Sequence, residues 1–297
     1  MHPAPSVIIF TVLSGLGFGL MFFLCLGVIR PLGLDALLMW GLAYGLALAG
    51  LVASTFHLGR PMRALRAFTQ WRSSWLSREA WASAATLLMA APLALAAILG
   101  GALPAVFGIV TALLCLATVL ATSMIYTQIR AVPRWNHWTT PAQFFGFALT
   151  GGAILSGQNA AGAQLCVLLA GVIWLAWTIG DGRFAAHGAT LKSATGLGGA
   201  GSLRQFAPPH PGSNYLLREM IHVVGRKHAR RLRALALVCA AVLPAAMLLV
   251  LPAALPTTIA VAAIHVTGAF AARWLFFAEA EHVVGLYYGQ RQLAATS

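Results

Sequence analysis

The sequence predicts an all-α, polytopic membrane protein with eight transmembrane helices arranged as four hairpins. The 297 residues are 60% hydrophobic and only 8% charged, whereas soluble domains carry about 25% charged residues. The apolar residues fall in long runs, and the connections between these runs alternate between short and long. We therefore expect a single membrane domain over residues 1–297, with lipid as its main solvent.

Eight apolar runs are candidates for the membrane-spanning helices. A helix needs about 20 apolar residues to cross the hydrocarbon core, and it satisfies its own backbone hydrogen bonds, as lipid requires. The fifth run is the shortest and contains Gln143, so we expect it to be tilted or shielded by its neighbours. The runs are Ser6–Ile29, Ala36–Phe56, Ala80–Leu99, Leu103–Ile125, Pro141–Leu155, Ala160–Ile179, Ala234–Leu251 and Pro256–Phe277.

The lengths of the connections pair these runs into hairpins. The connections after the first, third, fifth and seventh runs are only a few residues long, as at residues 100–102 and 252–255. The other connections are longer and basic. The longest, residues 181–233, is predicted to be a basic connection outside the membrane. All four hairpins then open toward the side that holds both termini.

The distribution of charge predicts the orientation in the membrane. The chain has 19 Lys and Arg residues against 6 Asp and Glu residues, a formal net charge of +13. Every basic residue except Arg30 falls on the side of the termini. The positive-inside rule makes this side cytoplasmic, so we expect a bacterial inner-membrane protein with both termini in the cytoplasm. A basic face could also bind an acidic partner subunit. Because the basic residues lie between apolar runs, we expect no nucleic-acid partner.

The sequence predicts no metal site in this chain. Cys25, Cys115, Cys166 and Cys239 each lie in a different apolar run, with no CxxC pair and no Cys/His cluster. Buried cysteines of this kind usually act as small hydrophobic residues.

The eighth run contains two polar residues of interest. His265 lies deep within it, but a haem held by two histidines needs a second intramembrane histidine on a facing helix. The other histidines lie near the ends of runs, in connections or in the tail, so no haem is predicted. Arg273 lies near the end of the run, and we expect its side chain to extend to the membrane interface.

His57 and Glu79 are the candidate catalytic residues. Glu79 is the one acidic residue that opens a span, and 21 residues separate it from His57 at the end of the preceding span. Taken alone, Glu79 could be a carboxylate stabilised by a helix N-terminus, and His57 could be a solvated residue at a helix end. Because both should lie near the cytoplasmic boundary on adjacent helices, together they would form a proton-handling pair.

Quinone chemistry needs such a pair. Reducing a quinone takes two electrons and two protons, and the protons need titratable groups at the membrane edge. Aromatic rings in this region could pack against a quinone or form an interfacial belt. Arg78 could bind a quinone carbonyl, pair with Glu79 or contact lipid phosphate. The predicted quinone-binding residues are His57, Arg60, Trp75, Arg78 and Glu79.

Two segments resemble the membrane-anchor family of dimethyl sulfoxide reductase, namely STFHLGRP at residues 54–61 and SWLSRE at residues 74–79. The length and the eight-span layout also fit. The resemblance implies that His57 and Glu79 bind and oxidise quinol, with ubiquinone or menaquinone as the bound substrate and no haem. It also implies two partners, a four-cluster iron–sulfur subunit and a molybdopterin catalytic subunit. The iron–sulfur clusters and the molybdenum cofactor would lie only in these partners.

Two further segments are similar to the anchor of the cytoplasmic sulfite dehydrogenase complex, namely QFAPPHPGSNY at residues 205–215 and KHARR at residues 227–231. This similarity implies sulfite oxidation coupled to quinone reduction. The alternatives are an anchor in a dimethyl sulfoxide reductase-type complex that oxidises menaquinol, and a purely structural anchor. A secondary transporter is disfavoured, because the sequence shows neither internal repeats nor acidic groups near the membrane midplane.

Overall fold

The computed structural model describes residues 4–56, 61–197, 203, 206–207 and 228–288, with the backbone alone for residues 61–64. No strand occurs in these ranges, and the all-α prediction is confirmed. Shorter helical turns cover Pro61–Phe68, Leu191–Thr195 and Val283–Tyr288. The long helices are α1 Pro5–Cys25, α2 Leu34–Thr55, α3 Trp75–Ile98, α4 Ala105–Thr127, α5 Thr139–Leu155, α6 Asn159–Ala186, α7 Ala229–Val250 and α8 Leu255–Ala278.

Seven of the helices in the described ranges are long and apolar enough to cross a membrane, namely all of the long helices except α5. Helix α5 falls on the fifth predicted run but has only 17 residues. At 1.5 Å per residue it is about 25 Å long, slightly less than the hydrocarbon core of about 30 Å. Seven candidate spans are therefore identified, and the count of eight stays a prediction.

Helices α6 and α7 extend beyond the apolar runs that predicted them. Helix α6 continues to Ala186, and α7 begins at Ala229. The added turns contain Asp181 and Arg233, which form an ion pair at 2.6 Å. Pairing offsets the cost of placing these charges beside an apolar bundle, so neither helix has to end where its apolar run ends.

Helix α1 lies at the centre of the bundle and packs against α2, α4, α5 and α8. Most of its residues are buried. Its approach to α5 depends on two glycines. A Cβ at Gly19 would lie 1.9 Å from the Ala148 carbonyl oxygen, and one at Gly152 would lie 2.3 Å from the Gly19 backbone. Small residues allow this backbone contact, which is a common way to pack helices in lipid.

A proline in α7 determines how α8 packs against it. Pro244 follows a π-helical segment, Val238–Val242. Because proline has no N–H, the Ala240 carbonyl lacks the donor that an α-helix supplies four residues later. The Nδ1 atom of His265 in α8 lies 2.7 Å from this carbonyl oxygen. Gly268 permits the approach, since a Cβ there would lie 2.1 Å from the Ala240 nitrogen.

Helices α2 and α3 run antiparallel and are joined by two hydrogen bonds. The Gly33 N–H, just before α2, donates to the carbonyl of Ala97 near the end of α3, at 3.1 Å. Near the middle of the pair, the Tyr44 hydroxyl donates to the Leu87 carbonyl at 2.7 Å. The backbone bond places the start of α2 beside the end of α3, so the end of α2 lies at the same end of the bundle as the start of α3.

We expect Gly19→Ala to lower the thermal unfolding midpoint of the purified protein, because the new methyl group meets the Ala148 carbonyl. Overpacking of this kind costs about 1–3 kcal/mol. Gly45→Ala in α2 is the matched control, since a Cβ there meets nothing within 4 Å. The control should leave the midpoint unchanged or slightly raised. Equal midpoints for the two variants would contradict the close α1–α5 contact.

Candidate functional site

Glu79 lies on the inward face of α3 and is only 4% exposed. It is the fifth residue of α3, beyond the first turn, so it is not a solvated carboxylate at the helix N-terminus. The hydroxyl of Thr122 in α4 donates a hydrogen bond to Glu79 Oε1. Sequence reasoning missed Thr122, because threonines occur in most of the predicted spans and none of them stands out.

The Thr122 hydroxyl has two acceptors within reach. Besides Glu79, it lies 3.0 Å from the Thr118 carbonyl oxygen. When Glu79 is ionised, the hydroxyl donates to the carboxylate. When Glu79 is protonated, the acid can donate to Thr122 Oγ1 while the hydroxyl turns to the Thr118 carbonyl. The pair therefore keeps its hydrogen bonds in both protonation states, as a group that takes up and releases a proton requires.

Glu79 lies close to the end of α2. The bond between Gly33, just before α2, and Ala97, near the end of α3, places the end of α2 and the start of α3 at the same end of the bundle. Glu79 is in the second turn of α3. His57 follows Phe56 in the sequence. His57 and Arg60 lie outside the described residues, so the pairing of His57 with Glu79 stays a prediction.

Arg78 contacts the connection that precedes α3. Its Nε donates to the Trp71 carbonyl at 3.0 Å, and its Nη2 donates to the Arg72 carbonyl at 2.8 Å. Its guanidinium lies over the Trp75 ring, 4.3 Å from the centroid. The structure thus brings Trp75 and Arg78 together, and no ion pair joins Arg78 to Glu79 among the described contacts.

Ser77 and Trp81 bind the same connection. The Trp81 Nε1–H donates to the Phe68 carbonyl at 3.0 Å, and the rings of these two residues meet edge to face. The Ser77 hydroxyl donates to the Ala67 carbonyl and accepts from the Gln70 N–H. The connection is therefore fixed to α3 by the neighbours of Glu79, while Glu79 itself faces the interior.

A cluster of four charges, also missed from the sequence, lies at the same end of the bundle as Glu79. Arg233 contacts Glu279 at 2.7 Å and Asp181 at 2.6 Å, while Arg134 contacts Asp181 at 2.5 Å and Glu279 at 3.5 Å. The cluster joins the α4–α5 connection, α6, α7 and the end of α8. Asp181, predicted to begin a connection, lies within α6. Glu279 lies beyond the eighth predicted run, directly follows α8 and is 6% exposed. Two positive and two negative charges compensate one another there.

The prediction that Arg273 extends to the membrane interface is wrong. Its side chain is buried, and its guanidinium carbon lies 3.8 Å from the centroid of the Phe144 ring and 5.4 Å from that of Phe276. This face of α8 is turned toward α5, where aromatic rings receive the cation. The position of Arg273 near the end of its run did not show whether its side of α8 faces the bundle interior or the lipid.

The fold and the site define a helical membrane protein with a buried carboxyl–hydroxyl pair at one end of its bundle. The chain belongs to the DMSO reductase anchor subunit (DmsC) family, whose model matches residues 1–195. It is a multi-pass membrane protein, and the resemblance inferred from its sequence motifs is confirmed.

Two relatives illustrate the range of the family. The chain is 32% identical to the C subunit of the sulfite dehydrogenase of Allochromatium vinosum, in an alignment that covers 97% of this chain and 99% of that protein. It is 36% identical to the C polypeptide of the anaerobic dimethyl sulfoxide reductase of Haemophilus influenzae over 110 residues, which are 36% of this chain and 39% of that protein.

We expect Arg233→Leu to destabilise the purified protein, because Glu279 would then keep only its longer contact with Arg134. Leaving a buried charged group poorly partnered costs about 1–3 kcal/mol, which a thermal unfolding midpoint detects. Arg230→Leu, at an exposed position of the same helix, is the matched control and should change the midpoint little. If both variants unfold at the temperature of the wild type, the cluster does not stabilise the bundle.

Proposed function

We propose that this chain is the quinone-reactive anchor subunit of a heterotrimeric molybdenum oxidoreductase of the bacterial inner membrane. Its partners are then a four-cluster iron–sulfur subunit and a molybdopterin catalytic subunit, which hold the clusters and the molybdenum cofactor. The observation that carries the proposal is the buried Glu79–Thr122 pair close to the end of α2. Membership of an anchor-subunit family supports the same role.

The proposed site lies where the ends of α2 and α3 meet, with the quinone tail in lipid and the headgroup near Glu79. Electrons reach the headgroup from the iron–sulfur partner. Glu79 and His57 supply the two protons. The Thr122 hydroxyl stabilises the Glu79 carboxylate that forms when Glu79 gives up its proton. Trp75, Arg60 and Arg78 complete the proposed quinone-binding set, with the Trp75 ring already ordered beneath the Arg78 guanidinium.

Sulfite is the proposed electron donor of the complex. Oxidation of sulfite by water to sulfate releases two electrons and two protons, and one quinone takes up two of each to form quinol. The near full-length similarity to a sulfite dehydrogenase subunit supports this direction. The shorter match to a dimethyl sulfoxide reductase polypeptide favours the alternative, in which menaquinol is oxidised. Supplying the purified complex with sulfite and quinone, or with dimethyl sulfoxide and quinol, decides between the two directions.

We expect Glu79→Gln and His57→Ala each to slow sulfite-dependent quinone reduction by about a hundredfold, since general acid–base groups contribute 10²–10⁴-fold. The measurement is the steady-state rate of the intact complex, with subunit stoichiometry checked by size-exclusion chromatography. Asp35→Asn, in the first turn of α2 at the opposite end of the helix, is the control and should keep the wild-type rate. Wild-type rates in both site variants would make the chain a purely structural anchor.

Eight spans in four hairpins, with both termini cytoplasmic, complete the proposal. In this arrangement α5 is the eighth span, in addition to the seven candidate spans. Its length of about 25 Å suffices with slight tilt or local thinning of the bilayer. Its packing against α1, α4, α6 and α8 supports a place inside the bundle, where neighbours shield its polar residues.

We expect alkaline phosphatase, which is active only outside the cytoplasm, to be active when fused after residue 157 and inactive when fused after residue 130. The two fusion points lie on either side of α5, so a crossing helix places them on opposite sides. A fusion after residue 101, between α3 and α4, serves as the external control. The same activity at residues 130 and 157 would show that α5 does not cross.

A further inference from the structure

A small cavity lies inside the bundle between α1, α4, α5 and α8. Polar residues from three helices line it, namely Thr11, Ser14, Thr122, His265 and Arg273. Its volume of about 20 Å³ is enough for one or two water molecules and too small for a quinone ring. The quinone headgroup itself therefore does not occupy this cavity.

Two polar atoms that belong to this lining lack a hydrogen bond. His265 Nε2 and Arg273 Nε are buried and make no hydrogen bond of normal geometry with the described residues; the residues themselves are 1% and 4% exposed. Both side chains approach the Phe147 ring. The His265 ring lies 6.1 Å from the Phe147 ring, and the guanidinium carbon of Arg273 lies 5.8 Å from it. Unsatisfied buried groups are unfavourable, so they point to a bound species.

The two atoms require opposite partners. A carbonyl oxygen only accepts hydrogen bonds, so His265 Nδ1, at 2.7 Å from the Ala240 oxygen, is the donor, and Nε2 of the neutral ring is an acceptor. Arg273 Nε carries a hydrogen and is a donor. A cation is repelled by Arg273, and an anion is repelled by the lone pair of His265 Nε2. Water fits both atoms, since it donates to one and accepts from the other.

We infer that this cavity is a hydrated site whose one or two bound waters join His265 and Arg273 to Thr122, and through Thr122 to Glu79. Thr122 lines the cavity and also donates to Glu79. Its oxygen keeps a lone pair that can accept from water. A water that donates to this oxygen strengthens the hydrogen bond that the Thr122 hydroxyl donates to the Glu79 carboxylate, and no proton is transferred in the cavity. This support of the ionised Glu79 rests on the proposed function, whereas the hydration does not.

Hydroxyl-radical labelling by X-ray radiolysis of the intact complex tests the hydration, because radicals formed from bound water oxidise adjacent side chains. Phe144 and Phe147 line the cavity. Phe10 and Phe277 are similarly buried but do not line it. We expect the first pair to be oxidised at least severalfold faster than the second. Equal, slow oxidation of all four rings would overturn the hydrated site. This comparison uses the wild-type protein, so it needs no variant to fold.

Turnover of variants tests whether the hydrated site supports the ionised Glu79. Thr122→Val and His265→Leu should each slow quinone reduction severalfold without changing KM, and His265→Leu should also slow the labelling of Phe147. Thr111→Val, at a buried threonine of the same helix whose hydroxyl donates to the Phe107 carbonyl at 2.7 Å, is the matched control and should keep the wild-type rate. Wild-type rates for Thr122→Val and His265→Leu beside a slow Glu79→Gln would overturn the support of Glu79 by the hydrated site and leave the quinone proposal standing. A wild-type rate for Glu79→Gln would instead contradict the proposed quinone site. The labelling experiment would still show whether the cavity is hydrated.

Discussion

Polar side chains inside this bundle have to find their hydrogen-bond partners on neighbouring helices, because lipid offers none. Glu79 of α3 uses the Thr122 hydroxyl of α4. His265 of α8 uses a carbonyl of α7 that Pro244 has left without its usual donor. Glu279, after α8, uses arginines from two other segments. Since each partner belongs to a different element, the bonds that satisfy the polar groups also hold the helices in place.

Two polar sites lie at one end of the molecule, and they differ in how their charges are balanced. The four-charge cluster between α6, α7 and α8 is internally neutral, with each carboxylate held by two guanidinium groups, so its charges are fixed and its task is structural. Glu79 has a single neutral hydroxyl as its described partner. Among the residues that the structure describes, no ion pair holds Glu79 in one protonation state, so the carboxyl between α3 and α4 is the group suited to proton exchange.

The apolar runs predicted the long helices well, because a span in lipid must be apolar over its whole length. The motif around Glu79 likewise located the buried carboxyl, because few acidic residues occur in the chain. Thr122 could not be predicted, since its role depends on which face of α4 meets α3. The same holds for Asp181 and Arg233, which are 52 residues apart and meet only after α6 and α7 pack. Arg273 was misjudged because distance from a helix end does not tell an inward face from an outward one.

Pro244 has an effect beyond the helix that contains it. It does not line the interior cavity, yet by freeing the Ala240 carbonyl it selects the tautomer of His265 and so the hydrogen-bonding character of that space. With alanine at position 244, the carbonyl could bond within its own helix, and the imidazole could carry its proton on either nitrogen. Residues 244 and 265 are thus chemically coupled across two helices, and a substitution at one changes which substitutions the other can tolerate.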